Sequence, residues 1–255
     1  MRLLPTLLAL FLATPAWADT IATYSAQGGM MTMTVEIATT GEMRVTMGGK
    51  MLEQLKAKAP AGMDLDQFGG IVRDGENYML QPGPDGKVRV IRMRDAAAVM
   101  KEFMAAHMAD FSKPPEDAMQ GPKLVARGTA TINGRTGKAF YGADAKASTK
   151  VLPVAVISTD PDLAKLGEAM RRQFATSMQM MGSAGFPAMG SSMDAVLAQG
   201  APLAFAGMEL QTVRHDAIPP ARFVLPAEPA SLDQVRELMT PKKIAGESEA
   251  AEPRP

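Results

Sequence analysis

Methionine is the residue type with the clearest potential for chemistry in this sequence. The chain of 255 residues holds 22 methionines, and five of them fall within residues 28–47, GGMMTMTVEIATTGEMRVTM. Thioether sulfur is a soft ligand that suits Cu(I), so a pair such as Met31 and Met33 could hold copper. His107, with a methionine on either side of it, could add an imidazole nitrogen. A Met-rich periplasmic copper-binding protein is therefore one hypothesis.

The same methionines also follow the period of secondary structure. Alternate residues of a strand face the same side, and apolar residues alternate with polar ones over 31–37 and again over 43–47. The turn signal Thr39-Thr40-Gly41 between these runs predicts an antiparallel hairpin with one apolar face. Methionine fills irregular apolar space because its side chain is unbranched and polarizable. We therefore favour apolar lining over metal ligation, and predict no metal and no cofactor.

Catalytic chemistry has few residues available. The sequence contains two histidines and no cysteine, and it lacks the G-x-S-x-G, S-x-x-K, H-E-x-x-H, P-loop and G-x-G-x-x-G motifs. His215 stands beside Asp216, a pair that could transfer protons, but an exposed His-Asp pair is more typical of solvated surface. The sequence therefore predicts a protein that is not an enzyme.

The N-terminus has the pattern of a secretory signal peptide. Met1-Arg2 is followed by the apolar run LLPTLLALFLA, and the small residues Ala16 and Ala18 precede Asp19. This predicts removal of residues 1–18 and a location in the periplasm of a Gram-negative bacterium. The apolar run is shorter than the roughly 20 residues that cross a bilayer, so no membrane span is expected after cleavage. Absence of cysteine suits an oxidising compartment and favours an unanchored product over one tethered by a cysteine-linked lipid.

Charge gives little indication of a partner. With 27 basic and 27 acidic residues, the chain offers no electrostatic reason to bind nucleic acid. The run KVRVIRMR places Lys87 and Arg89 on one side of a strand, and Arg92 and Arg94 on the other. It could receive anionic headgroups or an acidic envelope protein partner. We favour an edge strand that charges protect from unwanted pairing.

Turn signals and periodicity predict an antiparallel sheet with helices. Asp74-Gly75, residues 82–86 and Asn133-Gly134 favour hairpin turns. Further strands are expected at residues 151–158, 208–215 and 221–225. Helices are expected near residues 50–59, from Asp95, from Asp160 with Pro161 in the first turn, and at residues 192–199 and 231–239.

These elements predict an α+β protein in which a large curved antiparallel sheet forms an open half-barrel and helices cover its apolar face. Residues 19–240 are expected to form one domain with a helical segment at 160–200, and residues 241–255 a disordered tail. Methionine specifies rigid packing poorly, which favours a deformable apolar cavity between sheet and helices. The side chains expected to line it are Met31, Met33, Val35, Met43, Val45, Met47, Met170, Phe174 and Met178.

The order of these parts resembles that of periplasmic proteins with the lipoprotein-carrier (LolA/LolB-like) fold, within an uncharacterised branch of secreted bacterial proteins. The resemblance covers roughly Asp19 to Pro226 and depends on the stretch STDPDLAKLG and the ending F-x-L-P at Phe223 to Pro226. It implies an unclosed antiparallel barrel, covered by helices, that holds acyl chains in its hollow. The sequence has few aromatic residues, so only this lipid-holding scaffold is carried over.

The leading hypothesis is a non-catalytic periplasmic binding or carrier protein that shelters an apolar small molecule or lipid acyl chains between sheet and helices. One alternative is the copper-binding protein described above. The other is an envelope interaction module with a filled core and no ligand.

Overall fold

The computed structural model describes residues 18–59, 63–83, 85–107, 123–144, 151–183 and 191–239. The predicted signal peptide, except for Ala18, and the predicted tail lie outside these residues. Within the described part of the chain, no helix is both long enough and apolar enough to cross a bilayer.

The described residues form one sheet of 11 strands in which every neighbouring pair is antiparallel. The strands are β1 (Thr20–Ala26), β2 (Met31–Ile37), β3 (Met43–Gly48), β4 (Gly69–Arg73), β5 (Glu76–Pro82), β6 (Val88–Arg92), β7 (Leu124–Ile132), β8 (Arg135–Gly142), β9 (Ala155–Ser158), β10 (Ala201–Phe205) and β11 (Met208–Arg214). Their order is β6-β5-β4-β3-β2-β1-β11-β10-β9-β8-β7, so the sheet is not closed.

Five helices accompany the sheet in the described residues. They are α1 (Lys50–Lys56), α2 (Met93–His107), α3 (Ala164–Ser183), α4 (Ser191–Leu197) and α5 (Leu232–Met239). Each corresponds to a helix predicted from the sequence, and α3 and α4 fall within the predicted helical segment. The architecture is therefore α+β, as predicted, with the sheet as its larger part.

The methionine-rich hairpin is confirmed. Strand β2 pairs with β3 so that Met33 lies opposite Met47 and Val35 lies opposite Val45. Two further predicted turns are also confirmed. Asn133 and Gly134 have φ values of 47° and 81°, and Asp74 and Gly75 have values of 53° and 76°. These positive angles match the twist of a two-residue hairpin, which explains why Asn-Gly and Asp-Gly predict such turns.

The predicted last strand, at residues 221–225, is wrong. Pro220–Phe223 forms a 3-10 turn instead. Pro219 and Pro220 lack the backbone N–H that a strand residue donates to its neighbour, so they disfavour a strand that begins here. Phe223 and Ile218 are buried together against Ala38 and pack near Ile21. Strands β1 and β10 are not among the predicted elements, although β1 lies near the middle of the sheet.

The charged run lies on an edge strand, as predicted, and the protective role of its charges stays a prediction. Strand β6 is the first strand in the order. Its outer side makes a contact with the segment before α5, where the N–H of Ala230 donates to the carbonyl of Val90 at 2.8 Å. The expected placement of Arg94 is wrong, since Arg94 lies in α2 rather than on the strand. It pairs with Glu76 at 2.8 Å.

Helix α3 packs directly on the strands. Leu163, in the turn that precedes it, and Leu166 within it are fully buried in a cluster that also contains Ala22 and Val35. Gly167 allows the close approach, because a Cβ atom there would lie 2.9 Å from the backbone nitrogen of Ala201. Elsewhere, Val99 of α2 and Val235 of α5 are buried together with strand residues.

The sheet bends between β11 and β8. These strands are three positions apart in the order, which is about 14 Å in a flat sheet. Nevertheless, the side chain of Asn133, at the tip of the β7–β8 hairpin, donates to the carbonyl of Leu210 at 2.7 Å. The hairpin must therefore curl back toward β11.

Candidate functional site

The predicted lining residues divide into three groups. Val35 and Met43 are buried in the largest apolar cluster, and Met33, Val45 and Met170 pack against that cluster while remaining partly exposed. Phe174 packs instead against a second cluster, formed by Phe140 and Val196 with their neighbours. Met31, Met47 and Met178 are partly exposed and belong to neither cluster. The structure thus brings five of the nine predicted residues together.

Burial changes along the apolar face of the hairpin. At one end, Ile37 and Met43 lie opposite each other and are almost completely buried. Toward the other end, Met33 and Met47 also lie opposite each other, but both are partly exposed. The same face is therefore sealed at the end near the β2–β3 turn and incompletely covered at the far end.

The incompletely covered end continues onto the next strand through Phe68. The N–H of Met47 donates to the carbonyl of Phe68 at 3.2 Å, one step beyond the pairing of Thr46 with Gly69. Directly opposed residues share a face of the sheet, so Phe68 extends the row formed by Met33 and Met47. Its side chain is 40% exposed.

Sequence reasoning missed Phe68, although the information was present. Phe68 has the parity of Val72, which packs against the main apolar cluster. The two intervening glycines hide this alternation, because neither Gly69 nor Gly70 carries a side chain.

Helix α1 places more apolar surface near this end. It follows β3 immediately, and the N–H of Met51 donates to the carbonyl of Met30 at 3.0 Å. Leu52 of this helix is buried, whereas Met51 and Leu55 are 44% and 53% exposed. We call Met31, Met33, Val45, Met47 and Phe68 the open apolar face.

His215 takes part in a polar network that differs from the pair suggested by the sequence. Its Nε2 lies 2.8 Å from Asp162 Oδ1, and its Nδ1 lies 3.4 Å from Thr20 Oγ1. Asp216 pairs with Arg214 instead. The Thr20 hydroxyl, the His215 imidazole and the Asp162 carboxylate are linked in the same order as the groups of a hydrolytic triad. However, Thr20 is buried. A buried hydroxyl cannot reach a substrate, so this arrangement fits a structural network.

The network continues to the β7–β8 hairpin. Arg135 contacts Asp160 at 2.6 Å and Asp162 at 3.1 Å. Burial raises the pKa of Asp162, but hydrogen bonds from His215 and Arg135 outweigh burial and hold that pKa below its usual value. The network therefore links the hairpin, the start of α3 and the end of β11.

No group of three or more His, Asp or Glu side chains in the described residues is placed to hold a metal ion. This finding does not cover metal sites formed by methionine sulfur. The side chains of Met104 and His107, and the whole of Met108, lie outside the described parts of the chain. The alternative hypothesis that these residues bind copper therefore stays untested.

Comparison of the chain with protein-family models, with curated proteins and with solved structures finds no match. The resemblance to lipoprotein carriers therefore remains a prediction from the sequence pattern.

Proposed function

We propose that this protein is a non-catalytic carrier of the bacterial periplasm that shelters an apolar ligand, with lipid acyl chains as the class that fits best. The sheet is the half-barrel of this carrier, and the helices shield part of its apolar side. The acyl chain lies along the open apolar face.

The observation that carries this proposal is the fall in burial along one continuous face. A filled core would bury Met33 and Met47 as completely as Ile37 and Met43, yet the first two remain partly exposed. An apolar ligand on these side chains would remove their remaining apolar surface from water, which is favourable by roughly 25 cal/mol per Å². The sealed end would set how far the chain can enter.

The side-chain types on this face also favour a flexible ligand. Three of the five residues of the open apolar face are methionines. Methionine has three rotatable side-chain bonds and packs against surfaces of varied shape. An acyl chain bends in many ways, so an adaptable surface suits it better than a rigid one.

The first test asks whether lipid accompanies the protein. The full chain is expressed with its own N-terminus in a Gram-negative host, purified from the periplasm and analysed by native mass spectrometry. We expect adducts with the masses of phospholipids or fatty acids. A protein without adducts that also fails to take up a fluorescent fatty acid would overturn the proposal.

The second test is a double substitution, Met33→Gln with Met47→Gln, measured by titration with a fluorescent fatty acid. Fully burying one methionine contributes about 1.5–3 kcal/mol, so partial loss of two such contacts should weaken binding about tenfold. The control is Leu152→Gln, which makes a similar change at a side chain that is 84% exposed outside the open apolar face. Equal affinity in the double variant and the control would contradict the assigned face.

A further inference from the structure

A separate cavity of about 300 Å³ lies at the sealed end of the sheet. The β2–β3 turn and the β4–β5 turn form two of its sides, and α3 forms a third. Met43, Val72 and Ala169 provide apolar surface within it, while the remaining lining side chains are polar or charged. Its volume is at the lower end of the range for small-molecule pockets.

Two buried amide atoms, one in each of two residues that line this cavity, have no hydrogen-bond partner among the described residues. They are the Nδ2 group of Asn77 and the Oε1 atom of Gln173, and both residues line the cavity. Asn77 is only 6% exposed. Burying a polar group without a partner costs free energy, so each unpaired atom calls for an explanation.

Asn77 lies at a position of the sheet where an apolar residue would be expected. Asn77 lies opposite Val72, Val72 lies opposite Met43, and Met43 lies opposite Ile37. These four residues therefore form one cross-strand row on one face. Three of them are apolar, and an apolar fourth would complete the row without an unpaired donor. Asn77 interrupts an apolar row at the point where the row meets the cavity.

The charged side chains around the cavity are balanced. Arg73 and Arg172 supply two cations, and Glu42 and Asp74 supply two anions. Arg73 contacts Asp74 at 3.0 Å, whereas the contact of Arg172 with Glu168 on its own helix is 3.8 Å long. A lining with both signs suits a ligand that carries both a negative and a positive group better than it suits a simple anion.

We propose that this cavity binds a small zwitterion of free amino-acid size. The ligand carboxylate accepts hydrogen bonds from Asn77 Nδ2 and the Arg172 guanidinium, while the ligand ammonium donates to Gln173 Oε1 and the Glu42 carboxylate. Each of the two unpaired amide atoms thereby gains a partner. The cavity lies at the opposite end of the hairpin from the open apolar face, so this site is independent of acyl-chain binding.

The test combines ligand binding with stability. The purified full-length protein is titrated separately with each of the standard L-amino acids by isothermal calorimetry. Asn77→Leu and Gln173→Met replace each amide with an apolar side chain of similar size. We expect at least one amino acid to bind the wild type saturably, and each variant to weaken that binding at least tenfold.

Ligand-free stability provides a second readout. An unpaired buried amide should be replaceable by an apolar group at little or no cost, so both variants should need as much urea to unfold as the wild type, or more. Gln67→Met is the matched control, since the Gln67 amide already donates to Asp64 at 2.9 Å outside the cavity. It should lose some stability and keep wild-type affinity for the amino acid.

Three results would overturn the proposal. The first is that no amino acid binds the wild type. The second is that Asn77→Leu and Gln173→Met both bind as tightly as the wild type. The third is that either variant unfolds far more easily or fails to fold, which would show that the amide has a structural partner. Fatty-acid uptake should be unchanged in both variants, which separates failure of this proposal from failure of the carrier proposal.

Discussion

At the scale of single residues, Tyr24 is a rigid counterpart to the methionines. It is fully buried in β1, its hydroxyl donates to the carbonyl of Pro202 at 2.8 Å, and its ring meets that of Phe205 edge to face at 5.3 Å. Burial raises the pKa of Tyr24 far above its usual range, so the hydroxyl remains a donor at all ordinary pH values. Tyr24 thus ties β1 to β10 across the intervening strand.

The hydrogen bond of Tyr24 gives a prediction at this scale. Tyr24→Phe keeps the ring but removes the donor from a buried carbonyl, so the free energy of unfolding should fall by about 1–2 kcal/mol. Urea denaturation measures this fall. Tyr141→Phe, at a partly exposed position, should change stability by less than about 0.5 kcal/mol. Equal stability of Tyr24→Phe and wild type would show that the bond contributes nothing.

At the scale of elements, the close packing of α3 on the sheet depends on one glycine, Gly167. Gly167 faces the backbone of Ala201, and a Cβ atom would lie 2.9 Å from its nitrogen and 3.0 Å from its Cα. Backbone atoms cannot move aside as a flexible side chain can. The helix would have to lift from the strands to accept any side chain at this position.

Gly167→Ala tests this contact because two effects oppose each other. Alanine favours a helix over glycine by about 1 kcal/mol, whereas forcing an extra methyl group into a packed contact costs about 1–3 kcal/mol. We expect the steric cost to prevail and the midpoint of urea unfolding to fall. Gly142→Ala is the control, since no atom lies within 4 Å of a Cβ there. A more stable Gly167→Ala variant would refute the close approach.

At the scale of the whole molecule, a polar network holds distant parts of the chain together. Arg135 begins β8, Asp162 stands in the turn before α3, and His215 follows β11. Their contacts fix the curled β7–β8 hairpin against the start of α3 and the end of β11. These side chains are partly exposed to solvent, so each ion pair of the network contributes only modestly to the free energy of unfolding.

The lowered pKa of Asp162 makes this contribution depend on pH. A carboxyl whose pKa is depressed by folding stabilises the protein above its unfolded pKa of about 4, and the stabilisation is lost as pH falls through the folded value. Wild type should therefore be more stable than Asp162→Asn at pH 7, and the difference should shrink in acid. Urea denaturation across this pH range measures it.

A graded variant separates the partners of Asp162. His215→Gln removes one of the two groups that lower its pKa and leaves Arg135 in place, so the pH-dependent loss of stability should be intermediate. A stability difference between wild type and Asp162→Asn that stays constant from neutral to acid pH would contradict the assignment.

Local chemistry explains which parts of the fold could be predicted. The turns at Asp74-Gly75 and Asn133-Gly134 follow from the positive φ angles that these residue pairs tolerate. The alternation in the methionine-rich hairpin follows from the two-residue period of a strand. The error at residues 221–225 is instructive, since apolar residues there alternate plausibly but the prolines before them cannot join a ladder.

The candidate sites were less predictable because their residues come from distant segments. Asp216 adjoins His215 in sequence, yet Asp162 contacts it. The cavity with Asn77 and Gln173 joins two hairpin turns to a helix that follows them by about a hundred residues. Periodicity identifies which face a residue lies on, but it carries no information on which distant element that face meets.

The sequence by itself determined the β2–β3, β4–β5 and β7–β8 hairpins, the helices and the apolar side of the methionine-rich strands, because φ preferences and side-chain alternation act over a few residues. Only the tertiary structure decided that β1 lies between β2 and β11. Strands β1 and β11 come from near opposite ends of the described chain. The tertiary structure also decided which end of the apolar face is sealed. Both depend on long-range pairing, where the entropy of closing a long loop is offset by contacts that no local stretch of sequence contains.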